Sequence, residues 1–347
     1  MKEFSNNIFN YIRLIAAFQV AFLHAYRLLG FSTDNVFIFL LDIFPGVPIF
    51  FILSGFLISA SWEKGRSRSV LQYFVNRFLR IFPGLWVCFL FSLITILFVP
   101  DIEIPIVNFF IWSLAQLSFF QFYNPDFLRN YGVGVLNGSL WTISVELQFY
   151  IFLPIFYVFI RTLFESLFKS IVVFSFFISL YTLNIYISPS NEVVSKLYGV
   201  SILPYIFLFS IGIYLQRKLI LCLEFFNGKN RYVFMLYLLI VFLGYSFDFT
   251  VTGNQLNPIS CILLGVFVIN IAYNDFLISK LKKFDLDLSY GIYIYHMIII
   301  NFLIHIDIFD SFLNMTLSML LTISLAFISW HYIEKPALKL KYKFFGN

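Results

Sequence analysis

Repeated apolar runs of about 17–25 residues constrain this chain more than any other feature. Each run is long enough to cross the roughly 30 Å hydrocarbon core of a bilayer as a helix. Only 12% of the residues are charged and 61% are hydrophobic, 49 of them Phe. A soluble domain carries about 25% charged residues and could not keep this surface in water. The predicted architecture is all-α: a single polytopic transmembrane domain over residues 1–347. Spans are expected near 9–29, 36–61, 81–99, 143–160, 170–187, 199–215, 232–247, 258–273, 289–306 and 312–332. The first run carries Arg13 and His24 and has neither a basic leader nor a small-residue cleavage site, so it is not read as a signal peptide.

Loop charge sets the count and the orientation, because Lys and Arg favour the cytoplasmic side. The segment 105–122 is apolar but short, and Asn108 and Gln116 interrupt it. If it is re-entrant or interfacial and the N-terminus is inside, 19 of the 23 basic residues fall on the cytoplasmic side. Arg27, Arg129 and Lys196 fall outside, and Arg13 lies within a span. If 105–122 crossed, every later loop would invert and the bias would collapse. About ten transmembrane helices with both termini cytoplasmic are therefore expected, in a bacterial cytoplasmic membrane. The net charge of +5 sits in short loops between spans and does not indicate nucleic acid. Cys88, Cys222 and Cys261 lack metal-ligand spacing, and no metal is expected. Pro45, Gly46, Pro48 and Gly55 in the second span predict a bent or broken helix, tolerated where the freed backbone lines a cavity.

Within the first span, Arg13 and His24 are eleven residues apart. At about 100° and 1.5 Å per residue they share one helical face, roughly 16 Å apart along the axis. Ionisable groups inside a membrane are costly and usually face a functional cavity. Two such groups at different depths suit a long ligand held at one end and reacted at the other. Arg77 and Arg80, spaced i, i+3 in NRFLRIFP, share a face at the cytoplasmic mouth of the third span. Their guanidinium forks match phosphate oxygens, whereas Lys64, Arg66 and Arg68 need only the topology rule. In NGSLWTISVELQFY, Glu146 lies a few residues into its span at nearly the depth of His24. It would orient an imidazole base, hold a sugar hydroxyl, or bond a neighbouring helix. Trp141 is a belt aromatic or a stacking surface for a sugar. His296 sits mid-span in SYGIYIYH, as a helix bridge or a ligand contact. Glu334 is expected at the cytoplasmic boundary, with Pro336 ending the last helix. His305 and His331 carry no assigned role.

These pieces together resemble the acyltransferase-3 family of bacterial membrane O-acyltransferases. Arg13 and His24 match its Arg-x10-His element, PIFFILSGFLIS its FF-x-x-SGF, and Arg77, Arg80 and Pro83 its Arg-x-x-Arg-I-x-P. LWTISVELQFY, SYGIYIYH and YIEKP follow in family order. One departure is Leu147, where the family usually has a second glutamate. The resemblance implies acetyl-CoA as donor and a sugar hydroxyl as acceptor. Arg13, Arg77 and Arg80 would hold the donor, and His24 with Glu146 would carry the chemistry. Trp141, Ser144, His296 and Glu334 would contact a glycan or lipid-linked glycan. His24 would serve as general base or as an acetyl-histidine relay. With no fused extracytoplasmic domain expected, the stand-alone type acting on lipopolysaccharide O-antigen is the nearest likeness. Peptidoglycan, an exopolysaccharide or a small metabolite are alternative acceptors. A transporter or flippase is the rival class, disfavoured because no internal halves are detectable.

Overall fold

The computed structural model describes residues 7–64, 69–98, 103–186, 191–226, 229–247, 253–281, 286–307 and 310–345. Among them every regular element is a helix. The first stretch forms α1 (Phe9–Leu28), α2 (Val36–Asp42), α3 (Gly46–Lys64), α4 (Val70–Leu97) and α5 (Ile106–Leu117). The middle forms α6 (Trp141–Leu163), α7 (Leu167–Tyr186), α8 (Glu192–Gly199), α9 (Ile206–Arg217) and α10 (Leu219–Phe226). The last part forms α11 (Asn230–Ser246), α12 (Pro258–Ala272), α13 (Asp275–Lys280), α14 (Ser289–Ile306), α15 (Ser311–Ser329) and α16 (Lys335–Phe345).

Local chemistry explains many of the boundaries. Ser69, Asn191, Asn257, Asn274 and Asp310 each accept a backbone N–H of the first turn that follows, meeting donors that a helix start leaves unsatisfied. The predicted break in the second span lies at residues 43–45, between α2 and α3. Pro336 does not end the last helix. The chain widens into a π-helical turn, Trp330–Glu334, and continues as α16. Proline clashes with the carbonyl four residues back in a regular helix, and the wider turn takes up that conflict.

Every segment expected to span is helical. Among the described residues four helical stretches are long and apolar enough to cross a membrane: Val36–Lys64 (α2 with α3), Val70–Leu97, Ser289–Ile306 and Ser311–Phe345 (α15 with α16). A fifth arises if Glu192–Gly199 and Leu203–Arg217, bent by 48°, form one broken span. The 12-residue α5 is about 18 Å long, too short to cross. Lys2, Arg66, Arg68, Lys282 and Lys283, which carry part of the charge bias, lie outside the described residues.

The chain forms two compact units. One comprises Met1–Ala16, Val36–Ser67 and Gln148–Asp285. There α3 lies directly on α9. A Cβ at Gly55 would fall 2.1 Å from the Phe209 carbonyl oxygen, and one at Gly212 would fall 2.0 Å from that of Ile52. Only glycine permits this backbone approach, the usual device for close helix contact in lipid. The Gly of the SGF element is thus a packing residue. At the end of α3, Glu63 accepts from Gln216 Nε2 (2.9 Å), Arg217 Nη1 (3.3 Å) and the Tyr157 hydroxyl.

The other unit comprises Ala17–Asn35, Arg68–Leu147 and Leu286–Asn347. Its centre is α14, buried at nearly every position from Ser289 to Leu303 and packed against α15 and α4. An irregular segment, residues 131–140, runs along α14. Asn301 Nδ2 donates to the Val135 and Leu136 carbonyls, both at 3.1 Å, and its Oδ1 accepts from Val133 N at 2.8 Å. Further along, Asn137 Nδ2 donates to the Ile294 carbonyl at 2.8 Å and Ser139 Oγ to that of Tyr293 at 3.2 Å. From Asn301 to Tyr293 this segment tracks α14 for about 12 Å. Such backbone is tolerated at depth because the protein itself satisfies its polar groups.

Candidate functional site

The second unit contains both histidines of the two family-like elements. His24, near the end of α1, and His296, midway along α14, come from opposite ends of the sequence. His24 Nδ1 lies 2.8 Å from His296 Nε2. Their rings are close to parallel, 15° apart, with centroids at 5.1 Å. The other nitrogen of His296, Nδ1, lies 3.1 Å from the Ile292 carbonyl oxygen. His296 is buried and His24 is partly exposed. Ala25 of α1 and Leu29 just after it pack with Met297 and Ile300 of α14 and fix the approach. Tyr293 sits edge-on to His296 at 5.9 Å and receives the Thr142 hydroxyl at 2.8 Å.

The expected hydrogen bond between Glu146 and His24 is not present; the Nδ1 of His24 is bonded to His296 instead. The matching of their depths assumed that the span bearing Glu146 starts at the membrane surface. In fact residues 131–140 descend along α14 first, and α6 begins beside Tyr293. Glu146 lies further along α6, and its charge, like that of Arg77, reaches Tyr73 near the start of α4. Glu146 therefore belongs to the arginine end of this unit and not to the histidine end. Leu147, which stands where the family usually has a second glutamate, is a buried hydrophobic residue.

Arg80 is bound by a residue that sequence reasoning missed. Its Nη2 lies 2.5 Å from Asp287 Oδ2, with the side chains only 15% and 12% exposed. Ser289 Oγ donates to the other oxygen of Asp287 at 2.5 Å, and the guanidinium lies 5.8 Å from the centre of the Tyr290 ring. Arg77 lies over the Tyr73 ring at 5.7 Å. Two guanidiniums one helical turn apart are a donor set that fits phosphate oxygens. Arg80 reaches an anion only by sharing or leaving Asp287. Arg13 lies on the same helix as His24, in the part assigned to the first unit.

The other candidates have internal partners. Ser144 is buried and donates to Gln121 Oε1 at 2.7 Å, tying α6 to the segment before it. Trp141 is half-buried at the first position of α6. Glu334 is 2% exposed in the π turn. It accepts from Ser329 Oγ at 2.9 Å, and that hydroxyl accepts from Tyr295 at 3.1 Å. His305 stacks on Tyr131 with centroids 5.0 Å apart, and His331 Nδ1 bonds the Phe327 carbonyl at 2.9 Å. Asn301 and Asn137 were also missed. Their signal is an amide within or beside an apolar span, where polar side chains join backbones.

The described residues form an all-helical fold with long apolar helices, and similarity to known proteins gives the class, a membrane acyltransferase. The acyltransferase domain model matches residues 6–331, and the chain belongs to that acyltransferase-3 family. It is 30% identical to Nodulation protein 10 of Rhizobium leguminosarum bv. viciae, over 96% of this chain and 94% of that protein. It is 29% identical to the O-acetyl transferase of Shigella phage Sf6, over 95% of each. A shorter stretch, 33% of this chain, is 33% identical to Peptidoglycan O-acetyltransferase OatA of Listeria monocytogenes, 19% of whose length it covers. No solved structure is a significant match.

Proposed function

We propose that this membrane O-acetyltransferase moves an acetyl group from cytoplasmic acetyl-CoA to a sugar hydroxyl of a cell-surface glycan, in the first instance lipopolysaccharide O-antigen. The observation that carries the reading is the meeting of His24 and His296 at 2.8 Å in a chain with a near full-length O-acetyltransferase relative. Arg77 and Arg80, with Arg13 eleven residues before His24, would bind donor phosphates. His24 takes the proton from the acceptor hydroxyl as its oxygen attacks the acetyl carbon. The carbon–sulfur bond breaks, and His24 returns the proton to the departing sulfur. General-base assistance of this kind is worth about 10²–10⁴-fold. Trp141 and Glu334 remain acceptor-side candidates, and the glycan would be free or lipid-linked. The same proposal includes ten spans, both termini cytoplasmic and residence in a bacterial cytoplasmic membrane, supported by the loop-charge bias.

Mass spectrometry of surface polysaccharide from host cells with and without the chain tests this. An acetyl increment on the O-antigen repeat should disappear on deletion and return with the wild-type chain but not with His24→Ala. Loss of acetyl from peptidoglycan instead would replace the acceptor and keep the chemistry. No change in any glycan or lipid would overturn the reading.

A further inference from the structure

The hydrogen bonds around the two histidines determine more than their proximity. A neutral imidazole has one N–H donor and one lone-pair acceptor. The Ile292 carbonyl, 3.1 Å from His296 Nδ1, only accepts, so Nδ1 of His296 carries its proton. Nε2 of neutral His296 is then the acceptor. The 2.8 Å contact with His24 Nδ1 requires that this nitrogen be the donor. His24 is thereby left with its lone pair on Nε2. The selection starts at a backbone carbonyl inside α14, which cannot change protonation state.

We propose that His296 is a positioning residue that fixes His24 in the tautomer with a bare Nε2, the form able to take the acceptor's proton. This rests on the reading of His24 as the base. The role is the one a buried carboxylate fills beside the histidine of a serine hydrolase, where the wrong tautomer is strongly defective. Here a neutral ring does it, locked by a main-chain oxygen. During transfer the hydroxyl proton arrives on Nε2 of His24 and leaves with the sulfur, while the proton on Nδ1 stays in place. His296 itself gains and loses nothing and touches no reacting atom. Ser139 and Asn137 hold the α14 backbone three and two residues before His296, which keeps the ring pair in register.

Two measurements test this. In the full chain, reconstituted in nanodiscs with ¹⁵N-labelled histidine, His24 should show a protonated Nδ1 and an unprotonated Nε2. His296→Phe keeps a ring of similar size but removes the acceptor, and should mix the two His24 tautomers. In acetyl transfer, His296→Phe should lower kcat about 10²-fold with KM for the donor within about twofold, the signature of an effect confined to the transition state. His296→Gln offers an oxygen near the position of Nε2 and should recover most of that loss. A proton on Nε2 of His24 in the wild type overturns the proposal, as does full turnover in His296→Phe. If no acetyl transfer exists in any assay, the tautomer readout still decides the structural claim. Failure of the enzymatic reading and failure of this inference are thus distinct. Should His296→Phe fail to fold, the wild-type spectrum and the Gln variant carry the test.

Discussion

Arg80 and Asp287 form a partly buried ion pair at 2.5 Å, joining α4 to the residues just before α14. Asp287 also accepts from Ser289, so its two oxygens are shared between a cation and the first turn of the central helix. Removing one member of a buried pair leaves the other without compensation, at about 3–5 kcal/mol. Arg80→Ala and Asp287→Ala should each lower thermal stability in detergent strongly, and the double variant should be little worse than either single one. Additive losses would show that Arg80 has no stabilising partnership with Asp287. Arg77→Ala should leave stability closer to wild type and weaken acetyl-CoA binding instead, with Lys a poor replacement because it lacks the fork.

Gly132 and Asn301 make the descending segment possible. Gly132 has φ +53°, and a Cβ there would lie 2.3 Å from Asn301 Oδ1. Gly132→Ala should cost about 1–3 kcal/mol from backbone strain alone, and displacing Asn301 should add to this. Asn301→Leu leaves the Val133 N–H and two carbonyls without partners. Each buried group left unpaired costs about 1–3 kcal/mol. Protease accessibility near Arg129 in membranes should rise in both variants. Unchanged digestion would mean that the segment is held elsewhere.

The helices were legible from apolar run length, and the break before Gly46 from its prolines. The meeting of His24 and His296 was not, because they are 272 positions apart and neither periodicity nor charge links two spans. Depth failed for a different reason. Counting inward from the first residue of an apolar run assumes that the run starts at the surface. Residues 131–140 violate this: they are irregular, yet Asn301 satisfies their backbone, and Asn137 and Ser139 donate to carbonyls of α14. Pro336 misled similarly, since a π turn allows a helix to continue through a proline.

Topology can be checked with two introduced cysteines. Lys64 and Asn254 are exposed, whereas native Cys88, Cys222 and Cys261 are buried and should label slowly. With ten spans and a cytoplasmic N-terminus, Asn254→Cys should react with an impermeant maleimide in spheroplasts, and Lys64→Cys only after permeabilisation. Labelling of both from one side would break the ten-span arrangement.

Glu146 and His24 do not touch, and this gives a kinetic expectation. Residues that act as a unit show strongly non-additive losses, whereas groups in separate interactions show losses that multiply. Glu146 exerts its charge near Tyr73 and alongside Arg77, while His24 is bonded to His296. Glu146→Gln keeps shape and hydrogen bonding and removes that charge. It should change KM for acetyl-CoA by more than it changes kcat, since the arginine end is where donor phosphates would bind. His24→Ala should do the reverse, removing about 10²–10⁴-fold in kcat with donor affinity nearly intact. Combined, the two losses in kcat/KM should multiply. Steady-state kinetics on the single and double variants reads this directly. A double variant no worse than His24→Ala would mean that the carboxylate and the imidazole act together in the transition state, despite their separation in the structure.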